Sequence, residues 1–293
     1  MSTIHHTSWF TADQAHVHSW RPEGDDKPEQ ILYLHGLGPY TGFHAQELAE
    51  LLAEHGSFDV YAPDLPGFGQ TPAPAFEDHA PDRVSDWLVR QFDDIIDGPV
   101  HVVGHSWGGE VAVHLAERHP GWVQSVALLD GGHVGWDPVS REEALADAHS
   151  FDQLRRFSQL ADYLEAVRAD RLRWTPQLSA AYERGAVLKD GYYIQRQRPE
   201  TFAAIRHAGA LDPVTDHYPA LQHLPVLLAM AEDAAQVKPF RPEQLLSTVE
   251  DFTWFTLPAC THFMIDDAAP RLAPTLAAWW HNALTRSLVP ETR

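Results

Sequence analysis

The chain has one cysteine, Cys260, and three methionines in 293 residues. A single thiol excludes an internal disulfide, so the fold relies on packing rather than on covalent staples. Basic residues are also scarce: 21 Lys and Arg against 41 Asp and Glu leave a formal charge of −20. No Lys/Arg-rich run is present to grip a phosphate backbone or an acidic lipid surface, so neither nucleic acid nor membrane is expected as a partner. Long hydrophobic runs are missing too. None approaches the roughly 20 apolar residues of a membrane-spanning helix, and the opening Met1-Ser2-Thr3-Ile4-His5-His6 has neither a basic leader nor an apolar core. These absences predict a soluble, cytoplasmic protein.

What is present is a hydrophobic fraction of 44%, enough to fill one sizeable core. Short β-branched and apolar runs alternate with stretches of helical period, the pattern of a mostly parallel sheet flanked by helices in an α/β fold. Strands are predicted at 31–34, 58–61, 100–103, 123–129, 226–230 and 252–257, with an antiparallel pair at 7–10 and 16–20 ahead of them. Helices are predicted at 45–54, 82–96, 107–118 and 271–284. From Val134 to His217 strand signals nearly vanish, and charged helical stretches carry scattered aromatics such as Phe157, Tyr163, Trp174 and Tyr182. The expected organisation is therefore a core domain of residues 1–133 and 218–293, interrupted by a helical cap of residues 134–217.

The strongest chemical signal is Gly104-His105-Ser106-Trp107-Gly108-Gly109, set between the strand run Val100 to Val103 and the helical run from Glu110. Small residues around a serine at a strand-to-helix turn allow the sharp bend that exposes a hydroxyl at a helix N-terminus. A serine hydroxyl is a weak nucleophile at neutral pH. It needs a base within hydrogen-bond reach and a third group to orient that base. Of 19 histidines, His262 follows the last predicted strand, where a loop can carry it over Ser106. A carbonyl oxygen that gains charge needs fixed donors, which the backbone N–H groups of Leu37 and Trp107 are placed to supply. His35 and Gly36 beside Leu37, His105 beside the nucleophile and Trp136 at the head of the insertion are the expected substrate-binding residues.

These motifs together resemble the α/β-hydrolase superfamily, in its serine-nucleophile branch, over nearly the whole chain. His35-Gly36-Leu37-Gly38-Pro39 is similar to the family's oxyanion loop. Asp64-Leu65-Pro66-Gly67-Phe68-Gly69-Gln70-Thr71 is similar to its D-x-P-G-x-G-x-S/T stretch, and Thr261-His262-Phe263 to its histidine segment. The resemblance implies an α/β-hydrolase fold with a cap and a Ser-His-Asp triad. It offers two places for the acid. One follows the strand after the insertion, where Glu232-Asp233 stands without the glycine expected there. The other is the end of the strand after the nucleophile helix, where Asp130 precedes Gly131-Gly132. Asp130 is favoured and Asp233 is the alternative.

Relatives with a carboxylate nucleophile, the dehalogenases and epoxide hydrolases, share the sequence around the elbow, but Ser106 excludes their alkyl-enzyme route. Cleavage of a carboxylic ester or lactone of a medium-sized, uncharged small-molecule acyl substrate through an acyl-enzyme is expected, with C–C bond hydrolysis or ligand binding with little turnover as alternatives. No cofactor is expected and no metal: His16 and His18 share a strand face, but no third ligand is legible.

Overall fold

A computed structural model describes residues 3–24, 28–232 and 243–287. Its centre is an eight-stranded sheet of β1 (Ile4–Phe10), β2 (His16–Pro22), β3 (Glu29–Leu34), β4 (Phe58–Pro63), β5 (Val100–His105), β6 (Val123–Leu129), β9 (Pro225–Ala231) and β10 (Asp251–Leu257). Their spatial order is β1-β2-β4-β3-β5-β6-β9-β10. β1 and β2 form the expected antiparallel pair, and β2 runs antiparallel to β4. Every neighbour from β4 to β10 is parallel. Among the described residues no helix is long and apolar enough to cross a membrane.

Period-two alternation sorts the core onto two faces. Ile31 and Tyr33 point to one face with Leu48 and Leu52 of α1 (Gln46–Leu52) and with Leu272, Leu276 and Trp280 of the C-terminal helix. Leu32 and Leu34 point to the other, against Val84 and Leu88 of α2 (Pro81–Phe92) and Val111 and Leu115 of α3 (Trp107–Arg118). After β3 the chain winds toward β4. After β5 it winds the opposite way toward β6. The sheet therefore reverses its winding between β3 and β5, and the crevice beyond the carboxyl ends of these two strands is where such folds bind ligands.

Between β6 and β9 lie α4 (Arg141–Leu154), α5 (Leu160–Arg168), α6 (Pro176–Gly185) and α7 (Pro199–Leu211), then a 3-10 segment, Val214–Leu221. The insertion also holds a two-stranded hairpin of β7 (Ala186–Lys189) and β8 (Tyr192–Gln195), which corrects the expectation of helices alone. Its turn, Asp190-Gly191, has positive φ at both residues, 51° and 79°, the conformation that Asp-Gly supplies at a two-residue hairpin. The aromatics Tyr163 and Tyr182 are buried in the main core, with Trp174 stacked on Tyr182. They are packing residues rather than an open pocket lining.

A short helix α8 (Glu243–Thr248) precedes β10, and the C-terminal helix α9 (Met264–Ser287) begins earlier than predicted and continues through Pro270 and Pro274. A proline cannot donate to the carbonyl four residues back. The carbonyl freed by Pro270 belongs to Asp266, and Arg173 Nη1 of the insertion donates to it at 3.1 Å. An outside donor thus replaces the missing helical bond, so Pro270 does not end the helix.

Candidate active site

Ser106 and Asp130 each stand one residue beyond a parallel strand, β5 and β6, and the sheet's hydrogen bonding continues into them. Ser106 N–H donates to Leu129 O at 3.0 Å, and Asp130 N–H donates to Ala229 O at 2.8 Å. Both depart from ordinary backbone, with φ of 55° at Ser106 and 46° at Asp130. Left-handed backbone at a non-glycine residue persists only where the surroundings enforce it. Here the ladder bonds do so, and the tight turn at Ser106 needs small neighbours: a Cβ on Gly104 would lie 2.4 Å from Gly108 O.

The turn brings the side chains together. Ser106 Oγ lies 2.9 Å from His262 Nε2, and His262 Nδ1 lies 2.6 Å from Asp130 Oδ2. The second carboxylate oxygen, Oδ1, accepts the Ala231 N–H at 3.0 Å. The Asp130 side chain is 2% exposed, whereas that of His262 is 46% exposed and faces solvent. Burial pushes the Asp130 carboxyl upward, but the His262 hydrogen bond, the His262 charge and the Ala231 N–H together outweigh it and hold Asp130 below the ordinary carboxylate range. A buried, ionised acceptor of this kind fixes the imidazole with its proton on Nδ1, leaving Nε2 to accept from Ser106. Asp233, the other candidate acid, lies outside the described residues.

The loop after β3 presses against the serine. A Cβ on Gly36 would stand 2.9 Å from Ser106 Cβ, so only glycine lets this backbone come so close. Trp107 opens α3, and a first-turn N–H has no acceptor within its own helix. Leu37, next after Gly36, is half-buried on the same loop.

His35 and His105 were expected to meet substrate, and the structure places them differently. Both are 0% exposed. His35 accepts the Leu65 N–H on Nε2 at 3.0 Å and donates from Nδ1 to Gly36 O at 2.8 Å. Burial lowers its pKa to about 4, so it braces the loop after β3 as a neutral ring. His105 donates from Nε2 to the His262 carbonyl at 2.8 Å, and burial first, then the neighbouring His262 charge, lowers it to about 3. It positions the backbone of the candidate base. Trp136 is likewise a brace: its indole N–H reaches both oxygens of Glu110, at 2.7 and 2.9 Å, and its ring fills the space a Cβ on Gly209 would need. A buried carboxyl needs a donor, and Trp136 supplies it.

Further supports had no motif to announce them. Gln197 Oε1, from the insertion, accepts the Gly38 N–H of the loop after β3 at 2.9 Å. Asp267 Oδ2 accepts from Thr261 N at 3.1 Å and Thr261 Oγ1 at 2.6 Å, directly before His262, while its Oδ1 accepts the Leu172 N–H from the insertion. Arg171 pairs with the fully buried Asp266, which also accepts from Tyr40 and Tyr182, and its guanidinium lies 3.7 Å from the Phe263 ring centre. The one sequence signal for these was acidic: Asp266-Asp267 stands where carboxylates favour a helix start. The pair His16 and His18 also gains a neighbour, Asp64, in a buried group. Its carboxylate is already occupied by Gly42 N, Gln70 N and His16 Nδ1.

The alpha/beta hydrolase fold profile matches residues 30–177. Lipase LipV of Mycobacterium tuberculosis is 39% identical over 115 residues, covering 39% of this chain and 41% of that protein. The pimeloyl-[acyl-carrier protein] methyl ester esterase of Chromobacterium violaceum is 43% identical over 100 residues, covering 34% of this chain and 35% of that protein. The matched segments thus span well under half of either relative. A thioesterase domain from the curacin biosynthetic pathway superposes with a TM-score of 0.72 at 18% identity, over 94% of this chain and 99% of its own. The profile spans the loop after β3, the elbow at Ser106 and the strand leading to Asp130 in one continuous match, and on that ground this chain belongs to the α/β-hydrolase fold family.

Proposed function

We propose that this hydrolase cleaves carboxylic esters of small, uncharged acyl compounds, with Ser106 as nucleophile, His262 as base and Asp130 as orienting acid. The observation that carries the reading is the continuous relay from Ser106 Oγ through His262 to the buried Asp130, with separations of 2.9 and 2.6 Å. As Oγ attacks the acyl carbon, its proton passes to His262 Nε2, and the carbonyl electron pair moves onto oxygen. The N–H groups of Leu37 and Trp107 receive that charge. His262 then protonates the departing alcohol, and a water activated by the same ring hydrolyses the acyl-enzyme. Asp130 stabilises the transient imidazolium throughout.

Residues 134–217 act as a cap that shapes access and excludes water. The Gln197 bond to Gly38 and the Arg171 pair with Asp266 support this by tying the insertion to the loop after β3 and to the start of α9. The charge of −20 disfavours strongly anionic substrates. A series of p-nitrophenyl esters of increasing acyl length tests the proposal. Turnover that disappears in Ser106→Ala is expected; turnover that survives, or activity confined to a C–C substrate, overturns it.

A further inference from the structure

Far along α3 from the elbow, His114 is fully buried, and neither ring nitrogen has a hydrogen-bond partner among the described residues. An imidazole stripped of water on both nitrogens is costly, and such an orphan points to a missing partner. Its ring centre lies 4.1 Å from that of His217, which belongs to the 3-10 segment Val214–Leu221. His217 stands between two carboxylates: Nδ1 is 2.8 Å from Glu117 Oε2, and Nε2 is 2.8 Å from Asp212 Oδ1. One donor atom each from His114, Asp212 and His217 lie within 4.8 Å of one another. The two carboxylate side chains are 44% and 49% exposed, so the group opens to solvent although its histidine is sealed.

We propose that His114, His217 and Asp212 bind a zinc-class divalent cation, which clips the end of the insertion to α3, the helix that follows Ser106. Two imidazoles and one carboxylate are the donor set of zinc and its first-row neighbours, with a fourth position left for water. Zinc at 2.0–2.2 Å from each ligand draws its donors to roughly 3.3–3.5 Å apart, within reach of small side-chain rotations from the observed spacing. Glu117 has the place of an outer partner: it accepts the hydrogen bond of the His217 Nδ1–H and so directs Nε2 to the metal. The proton that Nε2 shares with Asp212 leaves to solvent as the metal enters. The surroundings suit a cation, since Glu117 and Asp212 converge there. The group at His16, His18 and Asp64 is less suited, because the hydrogen bonds already on Asp64 would have to break.

Purified protein stripped with a chelator and titrated with zinc chloride by calorimetry tests the site. One equivalent per chain is expected, and at a free zinc concentration about a hundred times Kd the thermal midpoint should rise by roughly 5–10 °C. His114→Leu removes two unpartnered nitrogens and is expected to stay folded while losing the equivalent. Asp212→Asn, a surface change, should weaken binding by at least about tenfold, the cost of losing even an outer partner of a ligand. His18→Gln should leave it intact. The proposal is overturned if the equivalent persists in both His114→Leu and Asp212→Asn, if it is lost in His18→Gln, or if the wild-type chain takes up no stoichiometric zinc.

Discussion

Asp130 Oδ2 sits 2.6 Å from His262 Nδ1 across 132 residues of chain, while its Oδ1 is held by the N–H of Ala231 at the end of β9. The acid is thus fixed by one neighbouring strand and spends its remaining oxygen on the candidate base. Asp130→Asn keeps the shape but permits the wrong imidazole tautomer. A loss of about 10⁴ in kcat is expected, the size seen for the equivalent change in a serine protease. Steady-state kinetics on a p-nitrophenyl ester checks it, and a loss below about tenfold would move the role to another carboxylate.

Gly36→Ala places a methyl group 2.9 Å from Ser106 Cβ. The loop must retreat, and the Leu37 N–H with it. Loss of one oxyanion donor costs about 10²–10³ in kcat, and a fall of that order is expected with the thermal midpoint little changed. If KM rises while kcat holds, the loop binds substrate rather than the developing oxyanion.

Burial pushes the Glu110 carboxyl up to about 8, with the Trp136 hydrogen bond opposing the shift. The folded chain therefore holds a proton that the unfolded chain releases near the ordinary value of 4.5. This stabilisation is complete below about pH 4.5 and is lost as pH rises through about 8. Glu110→Gln cannot titrate. Its stability relative to wild type should climb by a few kcal/mol between pH 5 and 9, at about 1.4 kcal/mol per unit. Urea midpoints at pH 5, 7 and 9 read this directly, and a gap constant with pH would show that Glu110 is ionised throughout.

Arg171→Met strands the buried Asp266 without its cation. Breaking such a pair from one side costs about 3–5 kcal/mol, and Asp266→Asn in the same chain should restore much of it. Because Arg171 also covers Phe263, next to His262, kcat should fall in the single variant and recover only in part in the double. Equal recovery of stability and kcat would make the ion pair a purely structural tie.

The sheet was legible because its strands are near-continuous apolar runs: Val123–Leu129 has the same ends in the sequence pattern and in the structure. The meeting of Ser106, His262 and Asp130 was legible because Ser106 and Asp130 follow strand ends directly and His262 lies on the loop after the last strand, each with recognisable neighbours. The hairpin at Asp190-Gly191 carried a usable signal that was obscured by exposed, mixed-polarity flanks. The start of α9 was hidden by Pro270, since sequence alone does not show that Arg173 fills the carbonyl it vacates. The roles of His35, His105 and Trp136 were out of reach for a related reason: a motif marks proximity to the chemistry, while burial decides whether a side chain faces the substrate or the scaffold.

Ser106 precedes His262 by 156 residues, and His262 comes from the far end of the sheet order, beyond β10. During synthesis the elbow, the loop after β3 and Asp130 emerge well before His262. A nascent chain thus carries Ser106 without its histidine partner, and the two can meet only after β9, β10 and the loop before α9 have been made. The contact of Ser106 Oγ with His262 Nε2 is consequently a report on a finished chain.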